Sequence, residues 1–467
     1  MTPVYLIDVS CYRPPEEYKA PFHSVMALRG ASWVQAGEKD RPAEENEFQK
    51  RVFDRAGLDP EGTFLPPAIN PRFCGHTPDQ SMTASNEECR LGLFGAMEGL
   101  LAKTGLVASD IDIIVTTCSI FCPTPSLSSM VVNHFKMRED IQSYHLGGMG
   151  CSNGVIAVNL VADLLRSPRH RNSNAVLLTI ESTTPAYYIG HDRTRLVANC
   201  LFRMGSAAVL FSNKENWRSD NRAKYRLLFH QRVHIGSSDE AFRAIEYSPD
   251  PEGHNGIFLG KNVVTEASKA LTKAMWKIGP RLLTWGQIAA YASNYVQRKL
   301  LKQQNVAPYQ PMFYIPVQHF LIHAGGSKVL DGLGKALSLS DHLLQPSRDV
   351  LYDYGNISSS TTWYTMADVE TTRGVRQGDK LLQIGMGSGI KCGVNVWQAL
   401  RDVHDLHPAW AHKLTADQIA VLRKTKVPPP SPPYLAMLLL LLLALLAAAF
   451  THLPQLRQWQ RHFKSEL

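Results

Sequence analysis

LGGMGCSNGV, Leu146 to Val155, is the stretch on which the fold of this chain turns. A glycine-rich turn follows an extended segment and leads into an apolar-periodic helical stretch, Asn153–Arg166. Strand, tight turn and helix in that order is the repeating unit of α/β architecture. Cys151 falls at the helix start, where unpaired N–H groups and the positive end of the dipole favour a thiolate. The same N–H groups can hold an oxyanion, and the glycines let a substrate come close to the backbone. A small buried cysteine in a tight turn is the plainer reading of the same residues. An α/β-hydrolase elbow is excluded, because G-x-C-x-G would need glycine where Met149 and Asn153 stand.

Outward from this turn, apolar runs alternate with amphipathic stretches. Ile111–Thr117, Ala175–Ile180, Ala207–Ser212 and Leu381–Ile384 read as strands. Asn86–Lys103, Val264–Ile278 and Lys328–Leu337 read as helices. Near the N-terminus, PVYLIDVSCY reads as a strand and not as a signal peptide, since it has no basic segment and no long apolar run. The polar break Asn216 to Lys224 is a seam between two halves, 1–215 and 216–414.

The 467 residues are 44% hydrophobic and 19% charged, a globular composition. A net charge of +8 fits a mildly basic surface, or attraction to phosphate-bearing thioesters or an acidic membrane. Nucleic acid is not expected, as no finger spacing, RNP-like motif or basic stripe occurs. The eight cysteines are scattered and form no CxxC pair, so reduced thiols are the default.

The C-terminal part has a different character. Tyr434 to Leu453 is apolar and uncharged, enough for one transmembrane helix. A linker, 415–433, precedes it and is proline-rich over 427–433. A short basic tail, 454–467, ends in KSEL, a relaxed match to a retrieval signal. Basic residues flank the apolar run on both sides, so orientation stays open. Insertion in the tail-anchored manner would leave the catalytic part in the cytosol.

Three further motifs carry chemistry. In HFLIHAGG, His319 and His323 share one face if the segment is a strand. A helical zinc pair fits less well, since Phe320 replaces the glutamate of H-E-x-x-H. In YGNISSSTTW, Asn356 offers a neutral N–H suited to a developing enolate, or else belongs to a loop before a helix cap. IGMGSG, 384–389, reads as a hairpin turn and does not match a dinucleotide fingerprint. One cysteine, one or two histidines and one asparagine together suggest thioester chemistry that needs no metal or redox cofactor.

With these motifs the chain resembles the plant-type 3-ketoacyl-CoA synthases, relatives of chalcone and stilbene synthases in the thiolase superfamily. The similarity runs through PVYLIDVSCYRP, LGGMGCSNG, NCLFRMGSAAVLFSN, RVHIGSSDE, HFLIHAGG, YGNISSS and GMGSGIKCGVNVWQALRDV. The resemblance implies a thiolase-like α/β fold, two similar βαβ-rich halves in a five-layer αβαβα arrangement, usually dimeric. It implies Cys151 as nucleophile, His323 and Asn356 as the decarboxylation and enolate pair, and His234 and His319 in support. It implies acyl-CoA and malonyl-CoA as substrates and no cofactor. It also implies an endoplasmic reticulum membrane location, and reductases and a dehydratase of the elongation cycle as partners. The alternatives are a type III polyketide synthase-like enzyme and a non-catalytic scaffold. Two departures stand out: Tyr352 replaces a family histidine, and the apolar anchor is C-terminal instead of an N-terminal pair.

Overall fold

The computed structural model describes residues 2–27, 42–75, 77–415 and 417. Nine strands form the main sheet: β1 Tyr5–Cys11, β2 Ile113–Thr117, β3 Gln142–Leu146, β4 Asn174–Ile180, β5 Ser206–Ser212, β6 Tyr225–His234, β7 His319–Ile322, β8 Lys380–Gly387 and β9 Lys391–Ala399. Their order is β7-β8-β9-β6-β1-β5-β4-β2-β3. The first-half strands β1 to β5 and the second-half strands β6 to β9 therefore lie on opposite sides of one junction. That junction is slight, with only Tyr5 opposite Arg226 and Leu6 opposite Tyr225. The sheet is continuous by pairing, not two separate sheets, and the short seam lets it fold round a middle layer.

Seven helices matter for the layers: α1 Met82–Thr104, α2 Leu127–Phe135, α3 Asn153–Arg166, α4 Val263–Leu282, α5 Ser327–Leu337, α6 Asp341–Tyr354 and α7 Thr361–Asp368. α1 packs on β1, β4 and β5, and α2 on β2 and β3. α3 touches β2 and β4 on one side and β8 and β9 on the other, so it lies between the halves. α7 shares this middle layer, against β1, β7 and β8. α4 and α6 cover the second half, on β6 and β9 and on β7 respectively.

Composition explains these places. Every residue of β2 and of β4 is buried, as parallel strands covered on both faces require. α3 buries Val155, Ile156, Ala157, Val158, Val161, Ala162 and Leu165, which leaves little polar face, so it belongs inside. The seam is closed by charge. Lys224 is fully buried, 2.7 Å from Glu370 and 2.8 Å from Asp8. Pairing on that scale offsets the cost of removing an ammonium group from water.

Residues 284–309 belong to a second compact unit. Within it, Thr284 caps the helix Trp285–Tyr295, and the Asn294 side chain donates to the Ala307 carbonyl at 2.8 Å.

The expected C-terminal transmembrane helix is corrected. Among the described residues no helix is long and apolar enough to cross a membrane. The longest, α1, carries Glu87, Glu88, Arg90, Glu98 and Lys103, which fit a covering helix and not a lipid-facing one. The apolar stretch 434–453, the proline-rich 427–433 and the tail 454–467 lie outside the described residues. The described residues thus form a layered α/β domain that contains no spanning helix.

Candidate active site

Four strands deliver the site from their C-terminal ends, the parallel neighbours β2, β3 and β4 from the first half and β7 from the second. β2 runs out at Thr117 into Ser119 and Ile120, and β4 into Glu181. β3 leads through Gly147–Gly150 to Cys151, and β7 ends one residue before His323. Ligands in α/β sheets gather at such ends. Cys151 occupies a short 3-10 turn, Gly150–Ser152, that runs directly into α3. The turn is tied down where the Gly150 N–H donates to the Ser119 hydroxyl at 2.7 Å. The hairpin between β8 and β9 presses on it too. A Cβ at Gly387 would stand 2.1 Å from the Met149 carbonyl oxygen, so only glycine fits there.

Cys151, His323 and Asn356 line one cavity of about 1030 Å³. Its wall includes the apolar Val197, Leu201, Phe202, Ile257, Leu259 and Ala267. The cations Arg51, Arg55, Lys261, Lys328 and Lys391 also line it, and the first four are exposed.

His323 is buried, and its Nδ1 lies 2.7 Å from the Thr361 hydroxyl, which fixes the ring. Burial lowers its pKa to about 4, so the imidazole is neutral at physiological pH. Asn356 is held by backbone on both sides. Its N–H donates to the Leu201 carbonyl at 2.9 Å, and its carbonyl accepts from the Arg203 N–H at 3.0 Å. Its Oδ1 accepts the Ser358 N–H at 2.9 Å, and its Nδ2 donates to the Gly325 carbonyl at 3.3 Å.

The thiol differs from the sequence expectation. Burial pushes the Cys151 pKa up to about 12, although hydrogen bonds from the Ser358 and Asn356 side chains and its own N–H oppose this. The negative charge of Glu181 raises it as well. Desolvation here outweighs the favourable helix start, so the resting group is a thiol.

His319 and His234 do not reach the cavity wall. The His319 Nε2 lies 3.1 Å from Asp379 Oδ2, at the far end of β7 from His323. His234 is exposed at the end of β6, beside Gly389 and Lys391, and burial followed by Lys391 lowers its pKa. Tyr352 is also exposed and lines no part of the cavity.

Sequence reading missed Glu181, Ser119, Ser358 and Thr361. Glu181 left one trace, an acidic residue directly after the mostly apolar strand β4. Its Oε1 accepts the N–H groups of Ser119 and Ile120, each at 2.8 Å.

Comparison with known proteins places the chain. Residues 1–300 match the family described as FAE1/Type III polyketide synthase-like protein, and residues 266–400 match the chalcone and stilbene synthase C-terminal domain. The 3-ketoacyl-CoA synthase 6 of Arabidopsis thaliana is 42% identical over 406 residues, 86% of this chain and 77% of that protein. The chain belongs to the 3-ketoacyl-CoA synthase family. The 3-ketoacyl-CoA synthase 4 of the same plant is also 42% identical, over 404 residues, 86% of this chain and 75% of that protein. Among solved structures, the fungal type III polyketide synthase ORAS superposes with a TM-score of 0.63 at 18% identity, covering 85% of this chain and 99% of that one. The 1,3,6,8-tetrahydroxynaphthalene synthase from Streptomyces coelicolor gives 0.62 at 19%, with coverage of 85% and 99%. At that identity the structures show the fold alone. Membership in the 3-ketoacyl-CoA synthase family makes the chain an acyl-transferring condensing enzyme.

Proposed function

We propose that Cys151 carries the acyl group and that His323 and Asn356 generate the carbon nucleophile from malonyl-CoA. The observation that supports this most is the shared cavity, which brings together one thiol, one neutral imidazole and one amide from three distant parts of the chain. Its apolar wall suits a long acyl chain, and its exposed cations suit the phosphates of a CoA thioester.

The reaction follows from these groups. The Cys151 sulfur attacks the acyl-CoA carbonyl and CoA leaves as a thiol. Malonyl-CoA then loses CO2, and negative charge collects on its thioester oxygen. Asn356 Nδ2 can donate to that oxygen, and so can His323 Nε2 in the tautomer that protonates it, which requires the Thr361 hydroxyl to turn from the Ser358 carbonyl, 2.9 Å away, to Nδ1. Neutral donors suit this role, because they stabilise the enolate without quenching it by full proton transfer. The enolate carbon attacks the acyl-cysteine and releases a 3-oxoacyl-CoA. That product needs a reductase and a dehydratase before another extension.

Half-reactions test the assignment. With a radiolabelled long-chain acyl-CoA, His323→Gln and Asn356→Ala should still label Cys151, while their CO2 release from malonyl-CoA falls by about a hundredfold. Full decarboxylation by Asn356→Ala would contradict its role. Product analysis separates a single two-carbon extension from a cyclised polyketide.

A further inference from the structure

The unit 284–309 turns its helix inside out. Gln287 is buried. Asn294 holds the chain beyond the helix, its Nδ2 donating to the Ala307 carbonyl at 2.8 Å and its Oδ1 accepting the Tyr309 N–H at 3.0 Å. Those two polar side chains, two turns apart, share one face of the helix Trp285–Tyr295. The opposite face carries Trp285, Ala289, Ala292 and Val296, at the i, i+4, i+7 and i+11 spacing of a single stripe. All four are exposed, Trp285 at 81%. A Cβ at Gly286 would meet nothing within 4 Å, so open space lies beside the first turn.

A helix on a water-soluble surface turns apolar residues in and polar residues out. Here the order is reversed, and the reversal continues past the helix. The π-helical turn Val296–Leu300 runs into Leu301, and Leu300 and Leu301 are 68% and 62% exposed. Tyr295 is exposed as well, its ring 6.5 Å from that of Tyr291. Among these apolar groups stand Arg298, Lys299 and Lys302, all exposed and none in an ion pair with a described residue. Residues 284–309 contain no Asp or Glu.

We infer that this unit docks on an anionic lipid surface, with Trp285, Leu300 and Leu301 in the boundary between headgroups and acyl chains and the three cations against the headgroup anions. Charge decides among the occupants. A second copy would set three cations against three, with no acid in either unit to offset them. An anionic bilayer supplies the opposite charge and an apolar layer directly beneath it. Trp and Tyr favour that boundary, because their rings have an apolar body and a polar edge. Arg and Lys suit it too, laying their apolar stems along the lipid while the charge stays at the headgroups. The helix Trp285–Tyr295 is about 16 Å long, about half the thickness of a hydrocarbon core, so it lies on the membrane and does not cross it. Such a contact holds the protein where long acyl chains gather, since those chains leave water for the same layer.

Photocrosslinking from single sites is the test, because it reports the local contact and not attachment through another part of the chain. Benzoylphenylalanine is placed at Ala292 in the full chain or, as a control, at Val107, an exposed apolar residue of the first half. The probe is vesicles of phosphatidylcholine, with or without phosphatidylserine, carrying a trace of radiolabelled phospholipid. With phosphatidylserine present, the Ala292 site should label lipid at least about tenfold more than the Val107 site. Omitting phosphatidylserine, or raising salt, should lower that labelling about tenfold. Lys299→Ala combined with Lys302→Ala should do the same, each basic contact being worth about a factor of five. Trp285→Ser and Leu300→Ser, both at exposed positions, should weaken it with the far-UV circular dichroism unchanged. Equal labelling from the two sites, or labelling at Ala292 indifferent to phosphatidylserine and to the lysines, would overturn the inference. Crosslinks from Ala292 to a second copy in place of lipid would overturn it in favour of self-association.

Discussion

Gly154 packs against Ser359 so closely that a Cβ on Gly154 would lie 1.9 Å from the Ser359 carbonyl oxygen. The start of α3, directly after the nucleophile's turn, and the segment that carries Asn356 and Ser358 thus meet with no flexible group between them. The first prediction follows from that contact. Gly154→Ala should destabilise the fold by about 3 kcal/mol or more, since a backbone oxygen cannot swing aside. Urea denaturation would measure it, and a variant within about 0.5 kcal/mol of wild type would refute this account of the contact.

His323 gives a prediction in pH. Its folded pKa is lowered to about 4, below the unfolded value near 6.5. Between these values the unfolded chain binds more protons, so stability falls as pH drops from about 6.5 toward about 4. The difference amounts to roughly 3 kcal/mol for this one group. His323→Gln should lose correspondingly less stability over the same interval. Equal losses in both proteins would mean the imidazole is not held neutral.

The contrast between motifs shows how much could be read in advance. The helix Asn153–Arg166 was legible because its apolar period is strong and long, and the strand ahead of His323 because two glycines close it. IGMGSG became the end of β8 and its turn into β9 for the same local reason. Lys224 was not legible. It lies in a stretch that looks like a solvated break, yet its partner Glu370 is 146 residues away and both are buried. Glu181 and Thr361 escaped likewise, because a carboxylate or hydroxyl gains its role only when distant strand ends converge. At Cys151 the helix start that favours a thiolate is visible in sequence, and the desolvation that pushes the thiol up is not.

Tyr352 stands where the family resemblance implies a histidine, and its place predicts little consequence. The side chain is 47% exposed on α6 and is associated with Asp59, away from the cavity. Tyr352→His should leave the condensation rate within about twofold and stability within about 0.5 kcal/mol. A large gain in rate would show that this surface communicates with the site.

The central claim is that Cys151 carries the acyl chain. Incubate the protein with a radiolabelled long-chain acyl-CoA and no malonyl-CoA, digest it, and identify the labelled peptide by mass spectrometry. The account predicts one thioester, on Cys151, that is cleaved by hydroxylamine, discharged as 3-oxoacyl-CoA when malonyl-CoA is added, and absent in Cys151→Ala. A label on another residue, or normal 3-oxoacyl-CoA formation by Cys151→Ala, would contradict it.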